Sequence, residues 1–149
     1  MNRLELILPF ALAFLFVGIW CLVGRVMSLM SGWTELAKRF HFPGRFQGKY
    51  YRFQSAWLKS VNFRGSLEMG MNDRGLYLVP MILFRLFHKP LLIPWAEIQA
   101  EPFRKFLFKG YCLTFRSFPG ITMKINSRTF EEMKEHLNET EGFRNTGWG

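Results

Sequence analysis

Residues 6–24, LILPFALAFLFVGIWCLVG, run without a single charged side chain. At about 1.5 Å of rise per residue, a helix of this length covers roughly 28 Å, close to the ~30 Å hydrocarbon core of a bilayer. In lipid a lone segment can match all its backbone N–H and C=O groups only as a helix. Pro9 falls in the first turn, where its missing N–H costs little. The run predicts one transmembrane helix, within residues 1–30 together with a short amino-terminal tail. A cleaved secretory signal would have a shorter apolar core followed by a small-residue cleavage site. Here the Ala11-Leu12-Ala13 triplet lies inside the run, which ends in Gly24-Arg25-Val26-Met27. A buried core helix would carry a polar stripe, and this stretch has none.

The charge is distributed around that span. The formal net charge is +9, and residues 25–124 hold 16 Lys/Arg against 5 Asp/Glu. A basic surface beside a bilayer points first to anionic lipid headgroups as partners. No recognition motif or basic low-complexity arm supports nucleic acid. Arg25, Lys38, Arg39 and Arg45 follow the span and only Arg3 precedes it, a bias that favours a cytoplasmic carboxy-terminal part.

Residues 31–45 form a juxtamembrane amphipathic segment. Leu29, Met30, Trp33, Leu36, Ala37 and Phe40 recur at helical spacing, and Trp33 falls where an interfacial aromatic belt is expected. Gly24, Ser28 and Gly32 stand four apart and make a small-residue ridge. Such a ridge lets two spans approach closely, whether of a partner membrane protein or of a second copy in a homodimer. Its plainer reading is that small residues merely end the span. Phe42-Pro43-Gly44 then punctuates the chain.

Residues 46–138 change to short strand signals at 47–53, 65–71, 75–79, 91–98, 105–108, 111–116 and 121–126. The Asn72-Asp73-Arg74-Gly75 stretch has tight-turn chemistry, and 121–126 alternates apolar and polar residues, with Ile121, Met123 and Ile125 facing a core. A helix over 127–137 follows, with Asn126, Ser127 or Thr129 as its cap and Phe130, Met133 and Leu137 as its stripe. Residues 139–149 read as a poorly ordered tail. The expected fold is α+β and membrane-anchored: one amino-terminal span, then a β-sandwich or barrel of about seven strands with a carboxy-terminal helix.

That order of elements resembles the pleckstrin-homology-like (PH-like) fold, a curved sandwich or barrel plugged by a carboxy-terminal helix. The segments Gly75-Leu76-Tyr77-Leu78 and Leu92-Ile93-Pro94-Trp95-Ala96-Glu97-Ile98 look like strands of GRAM-like and bacterial PH-like domains. The longer run GLYL…LFRLFHKPLLIPWAEI is similar to bacterial single-span membrane proteins of uncharacterised function. The resemblance implies a bacterial inner-membrane protein and a binding module, and it carries over no catalytic residue. Eukaryotic PH domains place basic residues in their first hairpin for phosphoinositide heads; Lys59 and Arg64 are the nearest counterparts here, at a different spacing.

No nucleophile, base and oxyanion set is legible, so no enzyme is expected, and no cofactor. His41, His88 and His136 stand far apart, and Cys21 lies in the span while Cys112 lies in a strand, so neither a metal site nor a disulfide is expected. Glu97, flanked by Trp95 and Ile98, is the carboxylate expected to be partly buried, paired with an arginine. The stretch Met81-Ile82-Leu83-Phe84-Arg85-Leu86-Phe87-His88-Lys89 has apolar groups on both faces. One reading puts one face in the core and the other under the juxtamembrane helix. The other makes it an exposed hydrophobic hairpin whose Phe84 and Phe87 dip into the bilayer interface, rimmed by Arg85, His88 and Lys89. The stretch 103–109, in which Arg104 and Lys105 are interleaved with Phe103 and Phe106, reads first as a hairpin and second as another candidate contact of the same type. Together these features predict a membrane-tethered, non-catalytic binding or scaffolding module that docks on anionic lipid or a partner membrane protein. The alternative is a structural accessory subunit assembled through its span.

Overall fold

The structure, a computed structural model, describes residues 2–139. Helix α1 (Arg3–Met30) is long and apolar enough to cross a membrane, and Pro9 sits near its start. Its side chains face outward along the apolar stretch; of its residues only Gly24 and Ser28 are buried.

Gly32 ends α1. Its φ of 74° is left-handed, a conformation that costs a residue with a Cβ roughly 1–2 kcal/mol. A Cβ there would also stand 2.7 Å from Ile121 Cδ1. The Gly32 carbonyl accepts from Leu36 N at 3.1 Å and starts α2 (Trp33–Phe40) in a new direction. Trp33, Leu36 and Phe40 of α2 are buried in the core. Trp33 is therefore a core residue and not part of an interfacial belt, and the juxtamembrane segment belongs to the domain that follows it.

Seven antiparallel strands form one curled sheet, a half-barrel in the order β4-β3-β2-β1-β7-β6-β5. They are β1 (Lys49–Leu58), β2 (Val61–Met71), β3 (Gly75–Pro80), β4 (Leu91–Pro94), β5 (Ile98–Lys105), β6 (Phe108–Phe115) and β7 (Phe118–Asn126). Two meanders, β1 to β4 and β5 to β7, join where Ala56, Trp57 and Leu58 pair with Ile125, Lys124 and Met123. The Asn72 turn forms as expected: its Oδ1 accepts from the backbone N of Arg74 and of Gly75.

Two expected strands are drawn differently. The 91–98 signal splits, because Trp95–Glu97 forms a single 3₁₀ turn between β4 and β5. Residues 105–108 straddle a hairpin, which agrees with the hairpin reading of 103–109 and not with a strand over 105–108: Lys105 pairs with Phe108, and Phe106 and Leu107 are its tip. Sequence alternation cannot distinguish a strand from the two strand ends that flank a two-residue turn.

Helix α3 (Ser127–Glu139) is capped by Asn126, whose Oδ1 accepts Thr129 N at 2.7 Å. Phe130 and Met133 enter the core, and the Phe130 ring stacks on Tyr111. The Leu137 side chain and the tail from residue 140 lie outside the described residues.

Candidate functional site: a loop strapped to the span

The 81–90 loop joins β3 to β4 and is neither strand nor hairpin. It contains one 3₁₀ turn, Ile82–Phe84, and lies against the last third of α1 and the start of α2. Three helix side chains hold three of its carbonyls. Trp20 Nε1 donates to Leu83 O at 3.3 Å, Ser28 Oγ to Phe87 O at 2.8 Å, and Trp33 Nε1 to Lys89 O at 2.8 Å. Trp20 also stacks on Phe84, with ring centroids 5.4 Å apart.

Most of the loop's carbonyls are matched as well. Every carbonyl of residues 80–85 accepts a hydrogen bond, and so do those of Phe87, Lys89 and Pro90. Unpaired carbonyls would cost several kcal/mol each in an apolar medium, about 2–7 by transfer scales.

The ridge of small residues is covered from within the chain. A Cβ on Gly24 would stand 3.0 Å from Phe87 Cδ2, Ser28 bonds the Phe87 carbonyl, and Gly32 faces Ile121. The ridge thus admits this loop and β7 at close range, on the face that the helix-packing reading assigns to a second span.

The candidate contact residues separate into three groups. Phe84 and Phe87 are half-buried against α1, so the apolar surface is instead that of Ile82, Leu83 and Leu86, at 76%, 63% and 72% exposure. His88 is wholly buried between Trp33 and Phe63, with centroids at 5.2 and 5.8 Å. Its Nδ1 lies 2.9 Å from the Phe84 carbonyl, which can only accept, so Nδ1 carries the proton. Nε2 is buried with no hydrogen-bond partner among the described residues, and burial lowers the pKa below the usual histidine value. His88 therefore anchors the loop to the core and contributes no cation to the rim.

Arg85 is also engaged. Its Nη2 reaches Glu68 Oε2 at 2.6 Å and its Nε donates to Pro80 O. Glu68 also accepts from the Tyr50 hydroxyl, and burial together with that carboxylate pushes the phenol well above its ordinary range. Glu68, with its side chain 12% exposed, is the more buried carboxylate; Glu97 is at 19%. Glu97 binds Ser117 through Oγ at 2.7 Å and N at 3.0 Å, with Arg39 more distant at 3.9 Å. Of the expected rim only Lys89 remains exposed and without an ion pair among the described residues.

Arg104 and Lys105 are not brought to this loop. They end β5, at the sheet edge opposite β4, beside the exposed tip Phe106-Leu107. The other end of β5 is the one near α2, through Glu97 and Arg39 and through Phe118 and Phe40. Trp20, Thr34, Arg25 and Lys38 were not singled out from sequence as site residues. An indole N–H inside an apolar helix was the available signal, because a buried donor needs an acceptor.

No protein-family model matches this chain, and no curated protein matches it.

Proposed function

We propose that this protein is a non-catalytic, membrane-tethered binding module whose β domain is seated on its own bilayer by the 81–90 loop. In this reading the domain is PH-like or GRAM-like and lies on the cytoplasmic face of a bacterial inner membrane. The charges after Arg25 favour that orientation.

The observation that carries the reading is the bond from Trp20 to the Leu83 carbonyl. Trp20 stands four residues before Gly24, where the apolar run ends, which is ~6 Å along the helix. A span that crosses the membrane therefore brings Ile82, Leu83 and Leu86 to the level of the hydrocarbon. Interfacial elements bury their apolar faces about 5–10 Å deep, which matches. Irregular backbone tolerates that depth only when its polar groups are matched within the protein, and nine of the eleven carbonyls of residues 80–90 are. A catalytic reading has little to draw on, since Glu68 and Glu97 are both engaged in structural bonds. Assembly of the span through Gly24, Ser28 and Gly32 is disfavoured, because those residues already pack within the chain.

Depth measurement tests the proposal. A nitroxide on Leu83→Cys, with Cys21→Ala and Cys112→Ala, is placed in full-length protein in phosphatidylcholine bilayers. It should collide with oxygen in preference to a water-soluble nickel chelate, and the same label on Phe106→Cys should show the reverse. A Leu83 label that reports water overturns the reading.

A further inference from the structure

A pocket of about 260 Å³ opens beside the loop, lined by Arg25 of α1, Thr34 and Lys38 of α2, and Leu86, Phe87 and Lys89 of the loop. Three cations from three separate stretches of chain meet there. Arg25 and Lys89 have no acidic partner among the described residues. Lys38 touches Glu35 at 3.3 Å, but both side chains are well exposed, and such a contact is weak in water.

We propose that this pocket holds the phosphate of an anionic phospholipid from the same leaflet. The inference rests on the seating of the loop described above and names the ligand of that seat. Arg25 is the first charged residue after the apolar run, so the pocket lies just past the end of the hydrocarbon-length stretch, at phosphate level. Leu86 and Phe87 give it an apolar wall continuous with the exposed face of the loop, along which acyl chains can lie. Its volume is below the ~300–1,000 Å³ that encloses a drug-sized molecule. That suits a headgroup whose chains remain in the bilayer. Arginine and lysine supply only donors and positive charge, so a phosphodiester oxygen is the matching group.

The test uses full-length protein in phosphatidylcholine bilayers with a trace of spin-labelled phosphatidylglycerol, reading the motionally restricted lipid. Wild type should prefer phosphatidylglycerol over phosphatidylcholine. Each of Arg25→Gln, Lys38→Gln and Lys89→Gln should lower that preference about fivefold. The triple variant should lose it. The charge-keeping set Arg25→Lys, Lys38→Arg and Lys89→Arg should keep it, as should Arg104→Gln with Lys105→Gln. A preference absent from wild type, or retained in the triple variant, overturns the proposal. So does its abolition by inorganic phosphate against chloride of equal ionic strength, which would mark a site for the free anion. If the Leu83 label is immersed and no lipid preference exists, this inference fails alone; if that label reports water, the seating fails with it.

Discussion

The Ser28 hydroxyl gives its proton to the Phe87 carbonyl at 2.8 Å, so the hydrogen of the 3.0 Å bond to Thr34 Oγ1 must come from Thr34. One residue on the span thereby fixes both the loop and the first turn of α2. Ser28→Ala should strand the Phe87 carbonyl and lower stability by ~1–3 kcal/mol, the cost of an unmatched buried acceptor. Chemical denaturation of the full-length protein in detergent would measure it; an unchanged midpoint would mean the bond is not formed.

Gly24 makes room for the Phe87 ring, where even a methyl group would come within 3.0 Å. Gly24→Leu should push the ring out and loosen the loop, speeding hydrogen exchange at residues 84–88. Exchange identical to wild type would show that Phe87 does not rest on α1.

His88 links stability to pH. Its folded pKa lies below the ordinary value, so the unfolded chain, near ~6.5, takes up a proton first as pH falls. The contribution is fully present above ~6.5 and is lost as pH drops toward the folded value, with a slope of up to about 1.4 kcal/mol per unit. His88→Asn keeps a donor for the Phe84 carbonyl without the titration. It should flatten that part of the stability profile, as measured by unfolding midpoints between pH 5 and pH 8 (a range of about that width brackets the transition). An equal slope in both proteins would assign the effect elsewhere.

The domain should need α2 to fold, because α2 supplies three of its core side chains. Removing everything before Gly44 deletes the buried Trp33, Leu36 and Phe40. Truncating such side chains costs roughly 2–5 kcal/mol each, and three together approach the ~5–15 kcal/mol that holds a domain. A fragment from Gly44 should show no cooperative melting, whereas one from Met27 should. Cooperative unfolding of the shorter fragment would contradict the core assignment.

Much of this fold was legible because its signals are local. The span is a composition signal. The 121–126 strand is a period-two signal, and Ile121, Met123 and Ile125 are indeed buried. Asn72 and Asn126 act through neighbouring backbone, which sequence displays directly. The site was less legible, because its parts meet only in space. Trp20 and Leu83 are 63 residues apart, and Ser28 and Phe87 are 59 apart. The cationic rim inferred from Arg85, His88 and Lys89 overlooked Glu68 and the Trp33–Phe63 pair, which claim the first two. The stretch 103–109 reads as a hairpin and 105–108 also as a strand, because the two-residue turn, Phe106-Leu107, is apolar where turns are ordinarily polar.

The turn at Gly32 joins a helix apolar enough to cross a membrane directly to a helix that fills the core, with only Ser31 and Gly32 between them. A flexible linker would let the domain swivel above its anchor, and here there is no slack. The long helix and the sheet are joined through α2 and by the loop's bonds to Trp20, Ser28 and Trp33. Thinner or thicker bilayers change the tilt of a single span. With α1 crossing the bilayer as proposed, any such tilt would swing the hairpin at Phe106 through an arc, and membrane thickness would set the direction in which that end of the sheet points.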